Sequence, residues 1–220
     1  MKVFINLVGL KKQQLSLQLV ILVSTFGIIE LISTLSEING INIPKFRTIF
    51  LMFGAFWNPI YNGDLEGIYS GQKYLMFISH AFLHGGIIHA LMNSVVLLSL
   101  GKVIGQKIGD WSVFVLFFLT AIGGAICFTI FSSAIGPMVG ASGAVFGFIG
   151  IWQYWEFTFR KKRGLTLKPF FSTLLGLILV NFVIFLMLEG GLAWQAHLGG
   201  FLVGFGVGPF FSIKNNKLIH

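Results

Sequence analysis

Six stretches of this chain are nearly continuous runs of apolar residues, each about as long as a bilayer is thick. They fall at about 17–35, 87–104, 111–131, 142–159, 170–188 and 192–211. Crossing a hydrocarbon core about 30 Å thick takes about 20 residues of helix. Within lipid every backbone N–H and C=O must be bonded inside its own segment, so runs of this length resolve as helices. One such run could be a buried helix of a soluble domain, but six in one chain exclude that reading. The 220 residues are 55% hydrophobic and only 10% charged, against about a quarter charged in soluble domains. The sequence therefore predicts an all-α polytopic membrane bundle of six transmembrane helices with a long first outer loop. Its expected organisation is a cytoplasmic segment over 1–16, the membrane domain over 17–211 and a cytoplasmic tail over 212–220.

The net charge of +8 invites a nucleic-acid reading, which its distribution removes. With the N-terminus placed inside, only Lys45, Arg47 and Lys73 of the 15 Lys and Arg fall outside. That bias is the positive-inside rule, with both termini cytoplasmic. The run from Arg160 to Arg163 can also meet anionic lipid, but orientation alone accounts for it. Trp111, Trp152, Tyr154 and Trp155 fall where a cytoplasmic aromatic belt is expected. The single cysteine, Cys127, excludes an internal disulfide. The mixed residues 1–14 do not read as a cleavable leader. In the outer loop, about 36–74, the apolar segment 46–57 is too short to span and reads as interfacial, while 58–71 is rich in turn formers.

Three clusters of polar residues sit at the outer ends of these spans. Ser142 lies in Gly140-Ala-Ser-Gly-Ala-Val-Phe-Gly147. Pro137 to Ala141 should end one connection so that a helix starts at Ser142, with unpaired first-turn N–H groups directed at the serine. Gly143 and Gly147 form a GxxxG, so a helix-packing face is the rival explanation. His197 is an ionisable residue within a span, which marks a functional site by default; a purely structural histidine is its rival. An imidazole can accept a serine proton near neutral pH and return it to a leaving amine. Gly200 and Gly204 would let the sixth helix approach the fourth closely. His80, His84, His89 and Asn93 form the third cluster. His89 and Asn93 share a face, and both can donate to a developing oxyanion. A metal site is the rival reading of these histidines, but no carboxylate or cysteine lies nearby and H-E-x-x-H is absent. No acid is placed to complete a triad: Glu30 is expected to snorkel to the outer surface, Asp110 and Glu156 lie at the cytoplasmic side, and Glu189 is solvated. The reading is a Ser142–His197 dyad, with His197 held by packing, beneath a water-accessible cavity.

Taken together, His84-Gly-Gly-Ile-Ile-His89-Ala-Leu-Met-Asn93, the octapeptide around Ser142 and Ala196-His-Leu-Gly-Gly-Phe-Leu-Val-Gly204 resemble the rhomboid family of intramembrane serine proteases, over about 79–208. The resemblance implies Ser142 as nucleophile, His197 as general base, and an oxyanion hole of His89, Asn93 and the Ser142 N–H. Gly140, Gly143, Phe146, Gly200 and His84 would support them, Phe146 by packing on His197. The fifth helix and the turn at Glu189–Gly191 would gate substrate entry. It further implies the basic bacterial six-span form in an inner membrane, with the site opening outward. Its substrates would be transmembrane segments of membrane proteins within the lipid bilayer, and no metal, cofactor or nucleic acid is called for. An inactive relative that binds client transmembrane helices is the alternative. One departure stands out. Many relatives carry Trp-Arg before the second span, where this chain reads Gly71-Gln-Lys-Tyr-Leu-Met76, which leaves the bracing of the first loop without its usual residues.

Overall fold

The computed structural model describes residues 15–38 and 44–211; the expected cytoplasmic segment up to residue 14 and the tail from 212 lie outside them. The described residues are helical apart from turns and one isolated antiparallel bridge, Phe56 with Met138. In chain order the helices are α1 (Leu17–Leu35), α2 (Phe46–Gly54), α3 (Asn58–Asn62), α4 (Gln72–Ser79), α5 (Ile87–Ile108), α6 (Asp110–Phe131), α7 (Ser142–Lys162), α8 (Lys168–Met187) and α9 (Trp194–Val207). A 3₁₀ turn, His80–Phe82, links α4 towards α5.

Local chemistry sets these boundaries. The Ser16 hydroxyl accepts from the Leu19 N–H at the start of α1, a serine N-cap. Gly109, at φ 93°, ends α5 and opens α6, a backbone state that costs glycine little. Pro169 stands in the first turn of α8, where a missing N–H costs nothing. The interfacial segment of the first loop forms α2, and the turn-rich stretch behind it contains the short α3.

Among the described residues four helices, α1, α5, α6 and α8, are long and apolar enough to cross a membrane. The other two expected spans depart from that pattern for identifiable reasons. α7 ends in Arg160, Lys161 and Lys162 with Glu156 a turn earlier. α9 has 14 residues, or about 21 Å of helix. Both are shielded by neighbours: α9 makes its most extensive contacts with α7 and then with α6. α8 differs most from them, with Phe170 as its one buried residue.

Glycine makes the α9 contacts possible. A Cβ on Gly200 would stand 1.8 Å from the Gly143 carbonyl oxygen, and one on Gly204 would stand 1.9 Å from that of Gly147. On the opposite side a Cβ on Gly199 would meet the Gly123 oxygen at 2.4 Å. The helices are in backbone-to-backbone contact, as small residues permit in membrane bundles.

The first loop is tied down from two directions. Phe56 and Met138 exchange backbone hydrogen bonds of 3.0 and 2.9 Å, fastening the loop to the strand-like segment before α7. Arg47 makes the second tie. Its guanidinium donates to Glu30, Glu37 and the His84 carbonyl. Glu30 therefore does not snorkel: it is buried and paired with Arg47 at 2.8 Å. A carboxylate at this depth is tolerable because its countercharge comes down to it. Arg47 thus supplies the bracing that the absent Trp-Arg left open, and the pairing holds its pKa above the ordinary value. Trp155 is buried beneath Lys107, whereas Trp111 is exposed.

Candidate active site

Ser142 is the first residue of α7 and is half-buried. Gly140, at φ 123°, turns the chain into the helix. Its N–H donates to the His80 carbonyl at 3.0 Å. The Ala141 N-cap makes no side-chain hydrogen bond, so the first-turn N–H groups around Ser142 are left open to a ligand.

His89 and Asn93 occupy one face of α5 and converge on Gly140. A Cβ there would lie 2.8 Å from His89 Nε2 and 3.7 Å from Asn93 Nδ2. Glycine at 140 is thus required twice, for its backbone angle and for the room that keeps the imidazole and the amide beside the serine turn. Asn93 Nδ2 is buried and without a hydrogen-bond partner. A buried donor left unsatisfied costs about 1–3 kcal/mol, and such a cost is expected where a ligand is meant to bind.

His84 lies under this group, buried, with its ring 5.1 Å from that of His89 and 5.1 Å from Phe26. Burial, and secondarily the neighbouring His89, pushes its pKa down to about 3. His80 is also buried, and its Nδ1 bonds to the Met76 carbonyl at 2.9 Å. Burial lowers it to about 4. Both imidazoles are neutral near pH 7 and act here as packing groups. Among the described residues no group of three or more His, Cys, Asp or Glu gathers to hold a metal ion.

His197 stands in the first turn of α9 and is buried. Phe146, one turn beyond Ser142, stacks flat on its ring, with centroids 4.3 Å apart and planes 5° apart. In the same interface Gly143, next to Ser142, faces the carbonyl of Ala196, next to His197, 3.3 Å from where a Cβ would stand. Ser142 and His197 are thus carried on touching turns of α7 and α9, although no hydrogen bond joins them.

The sequence reading missed one member of the site. Asn181 of α8 accepts at Oδ1 from His197 Nδ1, so the histidine is not held by packing alone. A lone asparagine in an apolar helix is the signal the sequence carries for it. A cavity lies beside His197. It measures about 510 Å³, lies between α7, α8 and α9, and is walled mostly by apolar side chains such as Leu174, Phe182 and Phe201, with Asn181 and His197 facing it.

The rhomboid domain family matches residues 71–214. "RHOMBOID-like protein 4" of Arabidopsis thaliana is 31% identical over 156 residues, covering 69% of this chain and 37% of that protein. "Rhomboid-like protease 1" of Toxoplasma gondii is 29% identical over 169 residues, covering 76% and 55% respectively. "Rhomboid protease GluP" of Bacillus subtilis is 29% identical over 123 residues, covering 56% and 23%. The chain therefore spans between about a quarter and about half the length of these relatives. The matched region takes in α4 to α9 and every residue placed around Ser142, and with its apolar helices the chain is an integral, multi-pass membrane protein belonging to the rhomboid family.

Proposed function

We propose that this protein is an intramembrane serine endopeptidase that cleaves transmembrane segments of other membrane proteins. Ser142 is the nucleophile and His197 its base. His197 Nε2 takes the hydroxyl proton as Ser142 Oγ attacks the scissile carbonyl. The imidazolium then gives that proton to the leaving amine, and water later releases the acyl-enzyme. His89, Asn93 and the Ser142 N–H receive the developing oxyanion. The observation that carries this reading is Asn93 Nδ2, a buried donor with no partner, aimed with the His89 ring at the turn that delivers Ser142.

The substrate segment has to unwind locally, since a helix keeps its carbonyls bonded and shielded. We place six spans in the membrane, α7 and α9 completing the four apolar helices, with both termini cytoplasmic, in the manner of a bacterial inner-membrane protein. The lysine and arginine distribution supports that orientation.

A second reading is a scaffold that binds client helices without cutting them. It is favoured by one observation, that Ser142 Oγ makes no hydrogen bond with His197; such bonds are often loose before substrate binds. Purified protein in proteoliposomes with a transmembrane substrate separates the two. Cleavage that vanishes in Ser142→Ala, persists with chelator, and accompanies fluorophosphonate labelling of Ser142 is the expected result. Binding without cleavage or labelling would establish the scaffold instead.

A further inference from the structure

Asn181 sits in the second half of α8, the least buried of the four long apolar helices. Its amide makes two bonds of opposite sense. Nδ2 donates to the Leu177 carbonyl at 2.8 Å, one turn back on the same helix. A carbonyl can only accept, so this bond fixes which end of the amide is nitrogen. Oδ1 is thereby turned to His197 Nδ1. An oxygen can only accept there, so Nδ1 must carry the proton. The lone pair of the neutral ring is then on Nε2, the nitrogen that remains for Ser142. The Phe146 ring stacked on the imidazole face stops the ring from rotating about this bond.

We propose that Asn181 is a positioning residue for the catalytic base, fixing the tautomer of His197 and making it depend on the seating of α8; this rests on the protease reading given above. During acylation the proton moves from Oγ to Nε2 as the Oγ–C bond forms and the carbonyl π pair moves onto oxygen. It then passes to the leaving nitrogen as the C–N bond breaks. Asn181 exchanges no proton. Its Oδ1 keeps the Nδ1–H bond throughout and stabilises the imidazolium by its dipole. This is the role a carboxylate plays in the soluble triad, filled here by a neutral amide, which avoids burying a charge among apolar walls.

The placement has a consequence for α8. Its cytoplasmic end is anchored by Phe170, whose ring lies 5.1 Å from Phe157 and 6.2 Å from Phe205. Farther along, the walls shared with α7 and α9 are mostly apolar and line the open 510 Å³ cavity, and the Asn181–His197 bond is a polar tie there. Swinging α8 outward about Phe170 would remove the Nδ1 acceptor, and seating it would restore the acceptor.

The test compares Asn181→Leu, which keeps volume and removes the acceptor, with Asn181→Asp, which keeps the acceptor. Wild type and Ser142→Ala are measured alongside with one transmembrane substrate in proteoliposomes. Asn181→Leu should lower kcat by about tenfold to a hundredfold, the range seen when a histidine loses its outer partner, with KM changed less than about twofold. Asn181→Asp should stay closer to wild type and move the acid limb of the kcat/KM profile to higher pH, because an anion at Nδ1 favours the imidazolium. Asn181→Leu within twofold of wild type would overturn the proposal, as would equal loss in both variants with unmoved pH profiles. Nitrogen NMR of ring-labelled histidine, with the His197 signals assigned through His197→Gln, reads the tautomer without catalysis. Nδ1–H in wild type and a mixture in Asn181→Leu is the expected result; no difference would refute it. Absence of cleavage in wild type would instead defeat the protease reading, with the tautomer result still standing on its own.

Discussion

Gly200→Ala is the most direct test of how the site is assembled. The added Cβ would stand 1.8 Å from the Gly143 carbonyl oxygen, 2.6 Å from its carbon and 3.1 Å from its Cα. All three are backbone atoms, so no side chain can swing aside. To bring the closest contact even to 3.0 Å, below which real Cβ atoms are essentially never found, α7 and α9 must part by about 1.2 Å or more. Overpacking of this kind costs about 1–3 kcal/mol when the structure can give, and here the Gly204–Gly147 contact lies in line with it. Gly143 follows Ser142 directly, and His197 is one turn from Gly200. The separation therefore falls on the pair proposed to exchange a proton. A misplacement of about 1 Å can cost about a hundredfold in rate. Gly200→Ala should lose at least that in substrate cleavage, together with a lowered unfolding midpoint in detergent. Gly206→Ala, on the same helix with nothing within 4 Å of its added Cβ, should be close to neutral in both. Activity of Gly200→Ala within about twofold of wild type would refute the claim that this contact sets the distance between the two side chains.

Other expectations follow from the same geometry. Asn93→Ala should reduce cleavage by about 10²–10³-fold, the loss typical of one oxyanion donor, and should remain measurably above Ser142→Ala; equal loss in the two would contradict the division of roles. Arg47→Met strands the buried Glu30 carboxylate and releases the His84 carbonyl. Breaking a buried pair costs about 3–5 kcal/mol, and the lower end applies because Arg47 keeps 17% of its side-chain exposure; adding Glu30→Leu should recover part of the lost unfolding midpoint. The neutral, buried His84 and His80 make stability pH-dependent. Unfolded imidazoles take up protons near pH 6.5, while the folded ones wait until about 3 and about 4. Stability is therefore full above about pH 6.5. It declines as pH falls, levelling for each histidine only below its folded pKa. His84→Phe should flatten the slope between pH 6 and 4 by up to one proton, about 1.4 kcal/mol per pH unit. An unchanged slope in pH-dependent unfolding would show that His84 is not buried in neutral form.

Much of this protein could be read from its residues alone, because lipid imposes a coarse rule. Runs of apolar residues near 20 long become helices, and the boundaries of α1, α6 and α7 fall within a few residues of those expected. The glycine-flanked serine and the histidine opening the last run were legible for a related reason: polar side chains are costly in lipid, so the few present are conspicuous. What depended on the third dimension was every relation between helices. Whether Gly143 would meet Gly200, and not some other small residue, depends on crossing angles and register that no local pattern encodes. The same holds for Glu30, whose burial rests on Arg47 arriving from the first loop, and for Trp155, buried beneath Lys107. Asn181 is the clearest case. Along the chain it is one amide in an apolar helix, as compatible with packing as with chemistry. Only the docking of α8 against α9 brings its oxygen to the His197 ring, because a hydrogen bond depends on distances of tenths of an ångström between residues sixteen apart in sequence.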